Sequence, residues 1–214
     1  MDEEITIIDQ NTRNEKIKNF FVKNKKKIII IISILILILI GYFSIDEIRK
    51  RNKIKLANLY NYAVIDYNLN NKEKIIYQLT DLINKKDKTY SPLALYFIID
   101  NNLISNQDDI NDLFNVLIDK TKLEVEIKNL IIYKKALYNS DFVDENELIK
   151  ILNPIINTES IWKSHSLYLL AEYFYSRNQK IKSKEFFEKI LSLSNANIDI
   201  KQLAQKKLNR DFRE

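Results

Sequence analysis

Residues 28–45 read IIIIISILILILIGYFSI, eighteen positions without a charge and apolar around the whole helix circumference. At about 1.5 Å of rise per residue this stretch makes a helix roughly 27 Å long, close to the hydrocarbon thickness of a bilayer. A helix on the surface of a soluble fold needs one apolar stripe, and this one is apolar on every side. The run exceeds the about 7–15 apolar residues of a signal-peptide core, and Gly41, Tyr42, Phe43 and Ser44 offer no small-x-small cleavage pattern. The pattern predicts an uncleaved signal anchor at 28–45, a leader at 1–27 and a folded domain at 46–214.

Beyond residue 45 the apolar positions recur with a helical period. Ile48, Leu56, Leu59, Tyr60, Ala63 and Tyr67 make one face, interrupted by Asn68, Asn70 and Asn71. Ile75, Ile76, Leu79, Leu82 and Ile83 make a second helix. A third starts at Ser91-Pro92, with serine as N-cap and proline in the first helical position. Further helices are predicted at 108–119, 123–138, 144–152 (closed before Pro154), 161–176, 180–193 and 198–209. Within the leader, Ile17, Phe20 and Phe21 share a face. Residues 15–22 are therefore either a short amphipathic helix on the inner leaflet or part of a mobile leader.

The helices fall into pairs with a common register. A small residue, Ala171, is followed sixteen residues later by Phe187 and nineteen later by Ile190. The same offsets join Ala63 to Leu79 and Leu82, Ile98 to Phe114 and Leu117, and Ala136 to Leu152 and Ile155. The four anchors are spaced 35, 38 and 35 residues apart, and Asn70, Ser105 and Asn178 mark a turn seven residues after three of them; Val143 is the exception. A small residue lets antiparallel helices approach, and large residues on the second helix fill the groove beside it. One such pair cannot bury its own face, whereas stacked pairs bury a continuous core.

This layout resembles the tetratricopeptide repeat, whose period is near 34 residues. Leu59, Ala94, Ile132 and Leu167 stand where that family has its first-helix tryptophan, and the turn glycine is missing throughout. Ile75, Ile110, Leu148 and Ser183 stand in place of the second-helix alanine. The resemblance implies an all-α fold: one N-terminal transmembrane helix, a TPR-like α-solenoid of about four helical hairpins and a C-terminal capping helix. With its basic leader and single anchor, the chain also resembles the YfgM-like family, bacterial inner-membrane proteins described as ancillary to the SecYEG translocon.

Charge sets the expected orientation. Lys23, Lys25, Lys26 and Lys27 abut the anchor, with Arg13, Lys16 and Lys18 behind them, whereas Asp46 and Glu47 open the other flank. Basic residues resist transfer, so the N-terminus is expected in the cytoplasm and the domain in the periplasm. Arg49, Lys50, Arg51, Lys53 and Lys55 follow closely and weaken this bias. The formal charge of +5 is spread over both signs, without the basic stripe of a nucleic-acid-binding surface. Cysteine is absent and Gly41 is the one glycine, which excludes disulfides, zinc-thiolate sites and glycine-rich phosphate loops. The single histidine, His165, lacks a metal-site partner set, and Trp162 reads as interhelical packing. Asp108-Asp109 and Glu145-Glu147 fall at helix starts, where the helix dipole explains them.

The function expected is a non-enzymatic, membrane-anchored periplasmic adaptor with no cofactor and no small-molecule substrate. The resemblance implies translocon subunits, periplasmic chaperones and emerging chains as protein partners, with the lipid bilayer around the anchor. The alternative is a scaffold of envelope assembly or cell division using the same array; a third reading is a hydrolase or transferase with a site between helices. In tetratricopeptide arrays the first helix of each pair lines the concave surface. Carried over, that pattern gives Tyr60, Val64 and Tyr67, then Leu95, Ile99 and Asn102, then Tyr133, Leu137 and Ser140, and finally Tyr168, Glu172 and Tyr175. The tyrosines offer wide apolar faces with polar tips, suited to binding extended segments. Equally, the rings are suited to packing between repeats.

Overall fold

The apolar run and the periodic segments on both sides of it are one helix in the computed structural model, which describes the backbone of residues 2–212 and the side chains of residues 15–212. This helix, α1, runs Asp2–Asp66. Nothing between residues 15 and 66 breaks it: there is no proline, and Gly41 sits among strong apolar neighbours that hold the helix through it. The leader is therefore helical rather than a separate short element, while the side chains of Arg13 and the acidic residues before it lie outside the described set. Every apolar residue of the span faces outward, and α1 is long and apolar enough to cross a membrane.

The chain divides into two units, 1–55 and 56–214. The second unit is helical throughout its described residues. It contains the end of α1, then α2 (Lys72–Asn84), α3 (Tyr90–Asp100), α4 (Gln107–Asn115, prolonged by a wider turn at Val116–Lys120), α5 (Val125–Asn139), α6 (Glu145–Ile156), α7 (Lys163–Ser176), α8 (Lys180–Ser192) and α9 (Ile198–Asp211). Helices neighbouring in sequence pack on one another: α2 on α3, α5 on α6, α6 on α7, α7 on α8 and α8 on α9.

Short polar side chains set the helix ends. Asn68 and Asn71 cap each other reciprocally around the turn after α1, and Asn71 also donates to the Asp66 carbonyl at 2.6 Å. Asn106 accepts from the Asp108 and Asp109 amides at the start of α4, and Asp144 accepts from Glu147 at the start of α6. In a domain without glycine, Lys86, Asn102 and Asn178 adopt the left-handed backbone that ends a helix. Two expectations are corrected. Ser91 is not the cap of α3: Asp87 accepts from the Thr89 and Tyr90 amides, while the Ser91 hydroxyl is buried and donates to the Leu82 carbonyl. Pro154 does not close α6, which continues to Ile156. It falls in the last turn, and burying Ile155 beside Leu148 and Leu152 favours keeping that turn helical.

The register read from the sequence coincides with the core. Ala63, Leu79 and Leu82, Ile98, Phe114 and Leu117, Ala136, Leu152 and Ile155, and Ala171, Phe187 and Ile190 are all exposed by 1% or less. The most extensive contact is at the last pair, where Ser183 on α8 donates to the Ala171 carbonyl on α7 at 2.8 Å. The first two pairs differ, because α2 packs mainly on α3 and not on the end of α1 that carries Ala63. The anchor of the second pair is Ile98, bulkier than alanine, and α3 packs mainly on α2 rather than on α4.

These positions carry direct stability consequences. In the detergent-solubilised full chain, Ala171→Leu should overpack the α7–α8 contact and cost about 1–3 kcal/mol. Phe187→Ala should leave a cavity and cost about 3–5 kcal/mol. Denaturant or thermal unfolding followed by circular dichroism measures both; unchanged unfolding in both variants would contradict the register.

Candidate partner-binding surface

The expected tyrosines all lie half-buried, each against a ring from a neighbouring helix or loop. Tyr60 meets Tyr90 at 6.2 Å between ring centres, and Tyr67 meets Phe97 edge-on at 5.6 Å. These contacts fix the end of α1 on α3. Tyr133 on α5 stacks on Trp162 at 5.9 Å and meets the His165 ring at 6.0 Å. The Trp162 indole N–H then donates to the Glu126 carbonyl, so this cluster joins α5 to α7. Tyr168 lies edge-on to Phe187, and Tyr175 edge-on to Phe212. Burial raises the hydroxyl pKa of Tyr60, Tyr133 and Tyr168, as expected for rings in an apolar contact. Of the two roles open to these rings, packing between helices is the one the geometry displays.

The remaining expected positions divide sharply. Leu95 is fully buried and offers a partner no surface, because its face of α3 turns into the core shared with α2. Asn102 ends α3 in the left-handed conformation, and its carbonyl accepts from Lys72. In the last pair, α9 covers part of the expected face. Lys207 reaches both carboxylate oxygens of Glu172 at 2.8 and 2.9 Å, its ammonium lies 5.0 Å from the Tyr175 ring centre, and Phe212 packs on Tyr175. Val64 and Ile99 stay half-buried. Leu137 on α5 is 46% exposed, an apolar side chain open to solvent.

One turn beyond Leu137, two expected residues meet. Ser140 and Glu172 line an open cleft of about 230 Å³ together with Asp141, Leu169, Tyr173, Ser176 and Arg177. Tyr173 anchors its wall by donating to the Val143 carbonyl at 2.9 Å. The Arg177 guanidinium lies 3.6 Å from the centre of the Tyr173 ring, one helical turn away, and is held flat against it. The cleft between α5 and α7 is thus lined by a guanidinium, the Asp141 carboxylate, the Glu172 carboxylate already paired with Lys207, and two serine hydroxyls that donate to carbonyls of their own helices. Sequence reasoning did not single out Tyr173 and Arg177; their four-residue spacing on one helix was the available signal.

Two polar clasps hold the elements that carry this surface. Asn139, buried at the end of α5, exchanges hydrogen bonds with Asn111 at 2.8 and 2.9 Å and accepts a third from Gln107, fastening α5 to α4. Glu145 accepts from Lys182 and Gln179, fastening α6 to α8; these donors hold its carboxyl below the ordinary range. No family model, curated protein or solved structure matches the chain.

The aromatic cluster predicts a pH response. Burial beside Tyr133 and Trp162 lowers the His165 pKa, with the Ile161 carbonyl opposing the shift. The folded state therefore resists protonation that the unfolded chain accepts below about 6.5. Stability from this group is complete above that pH and falls as the solution is acidified toward the folded-state value. The His165→Asn variant should lose stability less steeply than wild type between pH 7 and pH 5. Parallel unfolding curves across that range would contradict it.

Proposed function

We propose that this protein is a membrane-anchored, non-catalytic adaptor that binds other proteins through a TPR-like helical array. The observation that carries the reading is the joint presence of two features. One is an apolar helix with no buried side chain. The other is a set of four helix pairs whose anchor and partner positions, at one recurring register, are all buried. An outward-facing apolar helix needs lipid around it, and a repeated register is what a stacked array requires. The array comprises four hairpins, with α9 as the cap over the last. The charge flanks favour a cytoplasmic N-terminus and a domain on the far side of a bacterial inner membrane, in the periplasm. The binding surface is centred on Leu137 and the Ser140–Arg177 cleft. In its narrower form the proposal makes the protein YfgM-like, ancillary to the Sec translocon and passing emerging chains to periplasmic chaperones.

Orientation is tested by a reporter fused after Glu214 that is active only outside the inner membrane; it should be active, and activity of a cytoplasm-only reporter there would reverse the topology. Partner binding is tested by a photocrosslinking amino acid placed at Leu137 or, as control, at Ile181, which is 79% exposed on α8. Discrete adducts are expected from position 137 and not from position 181. Equal labelling from both, or none from 137, would reject this surface. Mass spectrometry of the adducts reads the narrower form: translocon subunits, chaperones or nascent chains support it.

A further inference from the structure

Beyond residue 45, five of the seven positions 49–55 are basic: Arg49, Lys50, Arg51, Lys53 and Lys55. All five are exposed on the unbroken α1 helix. Two of them are already neutralised within the helix. Lys50 pairs with Asp46 at 2.8 Å, and Arg51 with Glu47 at 2.8 Å, each one turn back. Arg49, Lys53 and Lys55 have no carboxylate within ion-pair distance among the described side chains. This leaves three net positive charges that the protein itself does not answer.

Depth gives these charges a neighbour. At about 1.5 Å per residue, Arg49, Lys53 and Lys55 lie roughly 6, 12 and 15 Å past Ile45 along the helix axis. The polar headgroup layer begins where the hydrocarbon ends and is about 5–8 Å thick on each side. Long Arg and Lys side chains reach back along the helix, which brings all three cations to the level of the lipid phosphates. A second feature, an interfacial tyrosine, places the end of the hydrocarbon within about one helical turn of Ile45. Tyr42 and Phe43, exposed at the end of the apolar run, form an edge-on pair at 5.8 Å and 75°, and aromatic rings of this kind settle at the membrane interface.

We propose that Arg49, Lys53 and Lys55 form a collar that binds the headgroups of anionic phospholipids in the leaflet where α1 leaves the bilayer. The proposal rests on α1 spanning the membrane. The collar collects phosphate-bearing, net-negative lipids around the helix and pins the depth of its exit. Asp46 and Glu47 limit its strength by holding back two further cations.

The test uses the full chain reconstituted into phosphatidylcholine vesicles doped with spin-labelled phosphatidylglycerol or spin-labelled phosphatidylcholine. Electron spin resonance measures the fraction of each label immobilised at the protein. Wild type should favour the anionic label severalfold. The R49Q/K53Q/K55Q variant should lose a clear part of that preference, the lysines at 23–27 supplying the remainder. The D46N/E47Q variant should gain preference, because Lys50 and Arg51 are then released. Unchanged preference in the triple variant, or no gain in the double variant, overturns the collar. Retention of the protein in the vesicles under alkaline carbonate reports the span separately. Release of wild type overturns both readings, whereas retention with unaltered lipid preference overturns the collar alone.

Discussion

The helical domain rests on small residues buried in one core with large residues of the next helix: Ala63 with Leu79 and Leu82, Ala136 with Leu152 and Ile155, and Ala171 with Phe187 and Ile190. At Ala171 the α7 backbone comes near enough to α8 for the Ser183 hydroxyl to reach its carbonyl. Phe187 and Ile190 then fill the groove on either side and are lost to solvent. Anchor size alone does not choose the partner: α2 and α3 pack mainly on each other, although the end of α1 before α2 carries Ala63 and α3 carries Ile98. The bulkier Ile98 is as fully buried as the alanines.

Most of the fold was legible for this reason. Helical periodicity marks the elements, and the sixteen- and nineteen-residue offsets mark the positions that reach the core. Boundaries were less legible where two signals compete. Pro154 argues for a stop by removing one backbone hydrogen bond, yet Ile155 needs burial and the helix runs two residues past the proline. Ser91 looks like a cap, but a hydroxyl with an available buried carbonyl is better placed inside, and Asp87 does the capping from outside the helix. The continuity of α1 was hidden because the sequence changes from charged to apolar to amphipathic while every segment retains good helix formers.

The surface was less legible than the core, and for a physical reason. A tyrosine on a helix face satisfies the same pattern whether its ring meets a partner or a neighbouring helix. Tyr133 illustrates this: Trp162 and His165, some thirty residues away in sequence, supply the rings that occupy it. The fourth pair shows a second cause. Glu172 and Tyr175 are polar and aromatic enough to suggest binding, but Lys207 and Phe212 on and just beyond α9 use them instead. Leu137 escapes both fates and keeps its apolar side chain exposed.

The position of α1 ahead of the helical domain also fixes an order of events during synthesis. At about 5–20 residues per second, the apolar run is complete roughly ten to thirty seconds before α9 is made. The helices with the most extensive mutual packing, α7 and α8, emerge after α2 to α6. The ribosome thus delivers the segment that cannot tolerate water well ahead of the residues that complete the core. Because the domain's contacts are chiefly between sequence neighbours, its earlier pairs need not wait for the end of the chain, and the domain is able to assemble progressively as it lengthens.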